Sequence, residues 1–308
     1  MSAPTRLAAV SVDLDEIPNY FGIHGIEEPH GSVRTLVYDV AVGRLLALAE
    51  DLDVPLTLFA IGRDLERPEA AARLNAAVKL GFEVGNHTLD HRYDLVRLGG
   101  DEIRFQIAEG TRAIERATGQ RPVGFRAPGY TVSDAVLDTL SKLGMFYDTS
   151  VFPCPPYWFA KAVAMGMIAL MGRRSRSVQD RPGVLLAPTR PYRVGRPYWT
   201  RGTGVVELPV QVTRGLRLPF IGTTLSLAGS FGAKLLARMC VGEPMINLEI
   251  HGIDVLDVGD GLSALRPHQP DVRIPWSLKA LALRSAVGVL REKGYRFVTL
   301  REAAEQVR

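Results

Sequence analysis

The stretch AAVSVDLD, residues 8–15, is a short apolar run that ends in two carboxylates. Small and β-branched residues in a run of this length predict a buried strand. Enzymes built on parallel strands place their chemistry where the strands end, which accounts for the two charges. Side chains two apart on a strand point the same way, so Asp13 and Asp15 are predicted to face one cavity. A solvated turn remains the alternative.

Further apolar segments share this strand pattern, and helical patterns alternate with them over most of the chain. Such alternation indicates parallel strands joined by helical crossovers, and therefore an α/β fold with barrel-like order. The strands are predicted at 8–14, 56–61, 83–86, 123–126, 146–150, 205–210, 246–251 and 297–300, and the helices at 32–51, 68–80, 101–118, 133–143 and 276–293.

The composition predicts a chain that folds on its own. Of its 308 residues, 46% are hydrophobic and 23% are charged, which is ordinary for a globular protein. Because barrels reach this length as single units, we predict one domain over residues 1–308. Prolines break the alternation after residue 151, and an insertion is predicted at about 152–204 over one rim of the barrel.

The N-terminal segment and the cysteines bear on where the protein acts. The segment MSAPTR runs directly into the first strand, without the apolar core and cleavage site of a secretory signal. This favours a cytoplasmic location. Cys154 and Cys240 are the only cysteines, and two distant thiols predict neither a disulfide framework nor a sulfur metal site.

His87 and His91 lie four residues apart in the segment His-Thr-Leu-Asp-His. On a helical turn this spacing puts both imidazoles on one side, where they can bind a single ion. Surface polar residues or a helix cap are the alternative for such a pair taken alone. Two imidazoles and one carboxylate form a facial set that leaves positions open for water and substrate. Zn²⁺ suits this set best, with cobalt, manganese, iron or nickel as alternatives, and a second carboxylate can act as general base.

The order of four motifs resembles the polysaccharide deacetylases with the NodB homology domain, also called carbohydrate esterase family 4. The likeness covers about residues 7–151 and 205–305. It implies a distorted barrel of about seven parallel strands with helices outside. The motifs read Ser11-Val-Asp-Leu-Asp15, His87-Thr-Leu-Asp-His91, Phe125-Arg-Ala-Pro-Gly-Tyr130 and Leu248-Glu-Ile-His251.

The resemblance also implies the roles of the metal ligands and of the base. Asp15, His87 and His91 would bind the metal, Asp13 would activate the attacking water, and Arg126 would position Asp13. Family members with adjacent aspartates keep base and ligand side by side. Here a leucine separates them, as in a subgroup that resembles cytoplasmic deacetylases and lipid-linked sugar deformylases.

For the acid and the substrate contacts the resemblance implies a second set of residues. His251 would protonate the leaving amine, and the backbone near Gly129 and Tyr130 would bind the substrate and stabilise the oxyanion. Asp254 would orient the imidazole or bind substrate, with a turn aspartate as the alternative. A structural role is the alternative for His251. The family's Asp-Trp element has no clean counterpart, and Asp148 is a loose candidate for it.

The insertion combines an apolar helix with an arginine-rich segment. Residues 157–172 are apolar nearly all round but too short to span a membrane, which needs roughly 20 residues. Residues 173–217 contain ten arginines and only two acidic residues. This segment therefore accounts for the positive formal net charge of the chain, which is +4. A buried or lid helix is one interpretation. A segment resting on an anionic membrane, with Arg173, Arg174 and Arg176 at a lipid phosphate, is the other.

These patterns predict a metal-dependent hydrolase that removes an acetyl or formyl group from an amino sugar of a polysaccharide or a lipid-linked glycan. Three rivals remain. They are a hydrolase of a small cyclic or linear amide, a phosphatase with Asp13 as nucleophile and Asp15 as acid, and a non-catalytic carbohydrate-binding protein. No nucleic-acid-binding module is recognisable, so no nucleic acid partner is expected. The oligomeric state is left open.

Overall fold

The fold is built on a mostly parallel sheet that a computed structural model describes over residues 6–307. Residues 1–5 and Arg308 lie outside the described residues. Residues 1–5 belong to the N-terminal segment that was searched above for a secretory signal. The strands are β1 (Leu7–Asp13), β2 (Leu56–Ala60), β3 (Glu83–Asn86), β4 (Gly124–Phe125), β5 (Tyr147–Asp148), β6 (Tyr192–Val194), β7 (Arg201–Glu207), β8 (Met245–His251) and β9 (Arg296–Phe297).

The sheet runs in the order β6-β7-β5-β4-β3-β2-β1-β8, and β9 pairs with the beginning of β1. Every pairing between these strands is parallel except that of β6 with β7. The curled sheet confirms the expected α/β, distorted-barrel fold. Each of the expected strand segments overlaps an observed strand. The antiparallel edge strand β6 was not expected.

Helices cover the sheet. They are α1 (Ile17–His24), α2 (Val42–Leu52), α3 (Pro68–Lys79), α4 (Gly100–Thr118), α5 (Asp134–Lys142), α6 (Pro155–Leu170), α7 (Gly222–Cys240), α8 (Trp276–Glu292) and α9 (Leu300–Ala304). A 3₁₀ turn and a π-helical turn precede α2, within the helix predicted at 32–51.

Two helices and one boundary differ from the sequence prediction. α1 is too short for a clear apolar period, and α7 contains a break at Gly229, whose φ is 64° and ψ −177°. Glycines and neighbouring prolines interrupt the helical pattern in this region. The sequence pattern therefore did not predict α7. Leu300, predicted at the end of a strand, instead begins α9, because Thr299 caps that helix by accepting a hydrogen bond from the Glu302 backbone N–H.

The sheet register positions the functional side chains. β1 is buried along its whole length, and Asp13 at its end is the register partner of His251 on β8. On the other side, Ala60 pairs with Asn86, and Asn86 pairs with Phe125. Because carboxyl ends of parallel strands meet at one edge, the segments that follow β1, β3, β4 and β8 converge there.

The segment 152–204 divides into two parts with different surroundings. α6 contains no buried residue, so the interpretation as a buried helix is wrong. The later part adds β6 to the sheet and buries Tyr192 and Tyr198. No helix among residues 6–307 is long and apolar enough to cross a membrane. The division into one domain with an insertion stays a prediction.

Candidate metal and catalytic site

Asp15, His87 and His91 form a compact triad beyond the ends of β1 and β3. Asp15 Oδ1 lies 3.2 Å from His87 Nε2 and 3.1 Å from His91 Nε2. The two Nε2 atoms are 3.2 Å apart, and all three side chains are buried. Ligand atoms about 2.1 Å from one Zn²⁺ at tetrahedral angles lie about 3.4 Å apart. The separations in the triad therefore fit a single divalent ion.

The hydrogen bonds of the imidazoles support the same conclusion. His87 Nδ1 donates to the Arg126 carbonyl oxygen at 2.8 Å, and His91 Nδ1 donates to Asn19 Oδ1 at 3.1 Å. Such contacts leave each Nε2 with its lone pair towards the triad. Asp15 Oδ1 is also buried without a hydrogen-bond donor. Three electron-pair donors facing one another without a proton between them need a cation, so the triad is a candidate metal site.

The histidine pair meets through a loop, and the expected helical turn is wrong. Thr88 and His91 have φ values of 67° and 52°, in the left-handed region. Asn86 Oδ1 accepts from the Thr88 backbone N–H at 2.7 Å, and Thr88 Oγ1 accepts from that of His91 at 3.0 Å. Gly110 of α4 lies against this loop, where a Cβ would meet Asn86 Oδ1 and the Thr88 carbonyl carbon at 2.8 Å.

Asp13 and Arg126 form a buried ion pair beside the triad. Arg126 Nη1 donates to Asp13 Oδ1 at 2.7 Å, while its other nitrogens bind Ser11 Oγ and the Thr149 carbonyl oxygen. Asp13 Oδ2 is left facing the site, 3.8 Å from His87 Nε2 and 3.9 Å from His251 Nε2. Arg126 thus orients one carboxylate oxygen away from the reaction space and the other into it.

Glu249 supports His251, a role that the sequence analysis missed. Glu249 Oε1 lies 2.9 Å from His251 Nδ1, and Glu249 is fully buried. Burial alone would lower the pKa of His251, but the Glu249 carboxylate outweighs it and raises that pKa well above the usual value. Glu249 therefore favours the protonated form of His251. The signal was present in the sequence, because residues 249 and 251 share a face of an apolar strand where a carboxylate is unusual.

A second cluster of possible metal ligands, Asp13, Glu249 and His251, shares this site. Here Asp13 is already bound by Arg126, and Glu249 Oε1 lies at ion-pair distance, 2.9 Å, from His251 Nδ1. Because each carboxylate already lies beside a basic side chain, this cluster fits an acid and a base better than a metal site.

A cavity of about 500 Å³ opens over the triad. Asp15 and His251 lie at its base, and Gly129 and Tyr130 lie in its wall. Other wall residues, which the sequence analysis missed, include Tyr20, Tyr93, Tyr157 and Lys161. Burial lowers the pKa of Lys161 to about 8, and its ammonium donates to the Gly129 carbonyl oxygen at 2.9 Å. The cavity thus combines charged groups with mostly apolar walls that include four tyrosines, which is typical of a ligand pocket.

Asp254 and Asp148 lie outside this cavity wall. Asp254 accepts hydrogen bonds from the His251 backbone N–H at 2.8 Å and from Thr223 Oγ1 at 2.8 Å, so it stabilises the turn after β8. Asp148 accepts from Ser150 Oγ at 2.7 Å and is fully buried. The contacts of both residues fit structural roles.

A family model for polysaccharide deacetylase matches residues 36–147, which include His87, His91 and Arg126. The match covers 112 of the 308 residues and shows that this part of the chain is similar to polysaccharide deacetylases. Among curated proteins, the chain is 29% identical over 147 residues to a peptidoglycan deacetylase-like protein of Gibberella zeae, and the match covers 46% of the chain and 43% of the relative. It is 29% identical over 129 residues to a peptidoglycan-N-acetylglucosamine deacetylase of Bacillus cereus, covering 42% and 56%. The matches thus span about half of each relative.

Solved structures agree with this fold. A polysaccharide deacetylase described as putative from Mycobacterium smegmatis superimposes with a TM-score of 0.62 at 20% identity, covering 100% of this chain and 92% of that chain. A family 4 pseudoenzyme from Bacillus anthracis gives 0.53 at 16% identity, covering 99% and 68%. The fold therefore occurs in a protein described as a pseudoenzyme, and activity must be argued from the site residues.

Proposed function

We propose that the protein is a metal-dependent hydrolase that removes an N-acyl group, acetyl or formyl, from an amino sugar. The observation that carries the proposal is the triad of Asp15, His87 and His91, with Nε2 and carboxylate atoms 3.1–3.2 Å apart. An acid and a base lie on neighbouring strand ends, as hydrolysis of an amide requires. The reaction breaks a carbon–nitrogen bond other than a peptide bond.

A divalent cation bound by the triad, Zn²⁺ in the first place and Co²⁺, Mn²⁺, Fe²⁺ or Ni²⁺ otherwise, would polarise the amide carbonyl and acidify an attacking water. Asp13 accepts the proton of that water at Oδ2, while Arg126 holds its other oxygen. The water oxygen bonds to the carbonyl carbon. A backbone N–H near Gly129 helps to stabilise the resulting oxyanion.

His251 completes the reaction by donating its Nε2 proton to the amide nitrogen as the carbon–nitrogen bond breaks. The products are a carboxylic acid and the free amine of the sugar. Glu249 keeps the imidazolium protonated and correctly oriented. Because Asp254 binds the backbone of His251, its contribution to substrate binding, which the sequence suggested, is indirect.

The cavity supports a sugar as substrate. Tyr130 and Tyr157 offer aromatic faces about 5.7 Å apart in an edge arrangement, and apolar sugar faces pack well on such rings. The curated relatives carry the name of peptidoglycan deacetylases, which favours an amino-sugar polymer or its lipid-linked precursor as substrate. The cytoplasmic location stays a prediction.

The rival functions explain fewer of these contacts. A phosphatase that used Asp13 as nucleophile would leave His87, His91 and Glu249 without a role. A non-catalytic carbohydrate-binding protein would have no need of the buried, unpartnered Asp15 Oδ1. A hydrolase of small amides would use the same groups. It differs from the proposed enzyme only in its substrate.

The test combines metal analysis with an assay of acyl release. Purified protein is analysed for bound metal, then incubated with N-acetyl and N-formyl amino-sugar oligosaccharides and with small amides. The proposal predicts about one divalent ion per chain and release of acetate or formate that a chelator abolishes and added metal restores. Metal-independent release, or release from small amides alone, would reject it.

A further inference from the structure

Two segments of the chain contain no acidic residue, although the chain as a whole holds 33. They are residues 149–179, which include α6, and residues 208–242, which include α7. Both border the active-site cavity, because Tyr157 and Lys161 of α6 line it together with Thr224 and Leu227 of α7. The entrance of the cavity thus lies between two surfaces free of negative charge.

These segments also concentrate the exposed apolar surface. Fifteen large apolar side chains are exposed among residues 6–307, and nine lie in the two segments. Leu170 is 89% exposed and Phe231 is 81% exposed. Apolar patches of this kind mark interaction sites on soluble proteins. The nine are Phe159, Val163, Met167, Leu170, Met171, Leu216, Leu227, Phe231 and Leu235, which we call the apolar rim.

Basic residues flank the apolar rim. Arg173 and Arg174 directly follow α6, and Lys234 and Arg238 lie on the exposed side of α7. Among the described residues these four form no ion pair, whereas Arg176, grouped with Arg173 and Arg174 in the sequence analysis, is paired with Glu28 at 2.9 Å. The surface around the entrance is therefore apolar and carries unpaired positive charge.

We infer that the apolar rim docks onto an anionic lipid bilayer, with the cavity entrance turned towards the lipid surface. Apolar side chains insert at the boundary of headgroups and acyl chains, while arginine and lysine attract anionic headgroups. A second copy of the chain fits this surface less well, because two acid-free, positively charged faces repel each other.

The docking has a consequence for the substrate that rests on the proposed function. With the entrance at the lipid surface, the substrate class is an N-acyl amino sugar attached to a membrane lipid. A bound enzyme reaches such a substrate by diffusion along the bilayer. A soluble oligosaccharide gains nothing from docking.

Vesicle flotation without substrate tests the docking. Full-length protein is mixed with phosphatidylglycerol-containing vesicles or with pure phosphatidylcholine vesicles, and its partition is measured at low and high salt. We expect binding to the anionic vesicles alone, weakened at least tenfold in Phe159→Ser/Leu170→Ser/Phe231→Ser and about tenfold in Arg173→Ser/Arg174→Ser. The matched controls Leu80→Ser/Phe105→Ser/Leu278→Ser and Arg104→Ser/Arg116→Ser change exposed residues elsewhere and retain binding. Circular dichroism verifies that each variant folds.

Three outcomes would overturn the docking. The first is that the wild type does not float with anionic vesicles, and the second is that the rim variant and its control bind equally. The third is that the wild type forms a dimer in light scattering, and that the rim variant loses this dimer while vesicle binding is unchanged.

Acyl release distinguishes this failure from failure of the proposed function. A synthetic N-acetylglucosamine glycolipid in vesicles is compared with a soluble N-acetylglucosamine oligosaccharide. We expect the rim variant to lose activity towards the first and to keep it towards the second. Protein that floats but releases no acyl group overturns the proposed function alone. Equal activity of the rim variant and the wild type towards the glycolipid rejects the lipid-attached substrate.

Discussion

Asp13 and His251 are register partners at the ends of the adjacent parallel strands β1 and β8, and Asp13 Oδ2 lies 3.9 Å from His251 Nε2. Each of the two side chains lies beside a residue of opposite charge. Arg126 binds the Asp13 carboxylate, and Glu249 binds the His251 imidazole. In the proposed mechanism, the base and the acid therefore face the same reaction space.

Glu249→Gln is expected to move the alkaline limb of the pH profile of kcat/KM to lower pH. Glu249 raises the pKa of His251, and the acid is lost as the pH rises through that raised value. Without the negative charge His251 loses its proton at a lower pH. The measurement is acyl release as a function of pH. Glu243→Gln, a change of another buried glutamate that precedes β8 at the end of the strand opposite His251, is the control and leaves the profile unchanged. An unmoved alkaline limb in Glu249→Gln would show that Glu249 has no part in acid catalysis.

Asp13→Asn and Asp15→Asn are expected to fail in different ways. Asp13→Asn keeps the triad and its metal but loses about 10²- to 10⁴-fold in kcat, because the base is removed. Asp15→Asn removes one ligand, so the protein is isolated with little bound metal. Metal analysis by mass spectrometry together with acyl release checks both. Each variant serves as the control of the other, and metal loss in Asp13→Asn with retention in Asp15→Asn would exchange their roles.

Asn19→Ala is expected to weaken metal binding about 10- to 100-fold. Asn19 Oδ1 accepts the Nδ1 hydrogen bond of His91, and such contacts fix the ring and its tautomer. A competition titration with a chromophoric chelator measures the affinity. Asn75→Ala on α3 removes the same group away from the site and is expected to bind metal as the wild type does. Equal affinity of the two variants would argue against His91 as a ligand.

Gly110→Ala is expected to lower both metal affinity and stability. The added methyl group would lie 2.8 Å from Asn86 Oδ1 and from the Thr88 carbonyl carbon, which position the loop between the two histidines. Overpacking of this kind costs about 1–3 kcal/mol of unfolding free energy. Gly288→Ala, in the interior of α8 with open space around it, is the control and is expected to stabilise by about 0.5–1 kcal/mol. Urea denaturation measures the unfolding free energy of both variants, and the chelator titration measures their metal affinity. Equal changes in the two variants would contradict the packing argument.

Several features of the site follow from local sequence. Asp13 and Asp15 at the end of β1 predict a functional strand end because the period of a strand is two residues. The alternation of strand and helix patterns likewise predicts the parallel sheet, since each segment reports its own secondary structure.

Other features depend on residues that are distant in sequence. Asn19 approaches His91 at 3.1 Å across 72 positions, and Gly110 of α4 makes room for the loop that follows β3. The helical turn expected for the histidine pair is wrong because side-chain caps from Asn86 and Thr88 stabilise left-handed backbone there. Spacing alone carries no information on such contacts.

The amino-acid sequence by itself determined the α/β architecture and the residue types at the strand ends, because both depend on local periodicity and on side-chain chemistry. Tertiary structure alone decided which atoms meet. The pairing of β1 with β2 and of β2 with β3 brings Asp15, His87 and His91 within 3.2 Å of one another. The exposure of α6 was decided in the same way, since an apolar helix is buried only where another part of the chain packs against it.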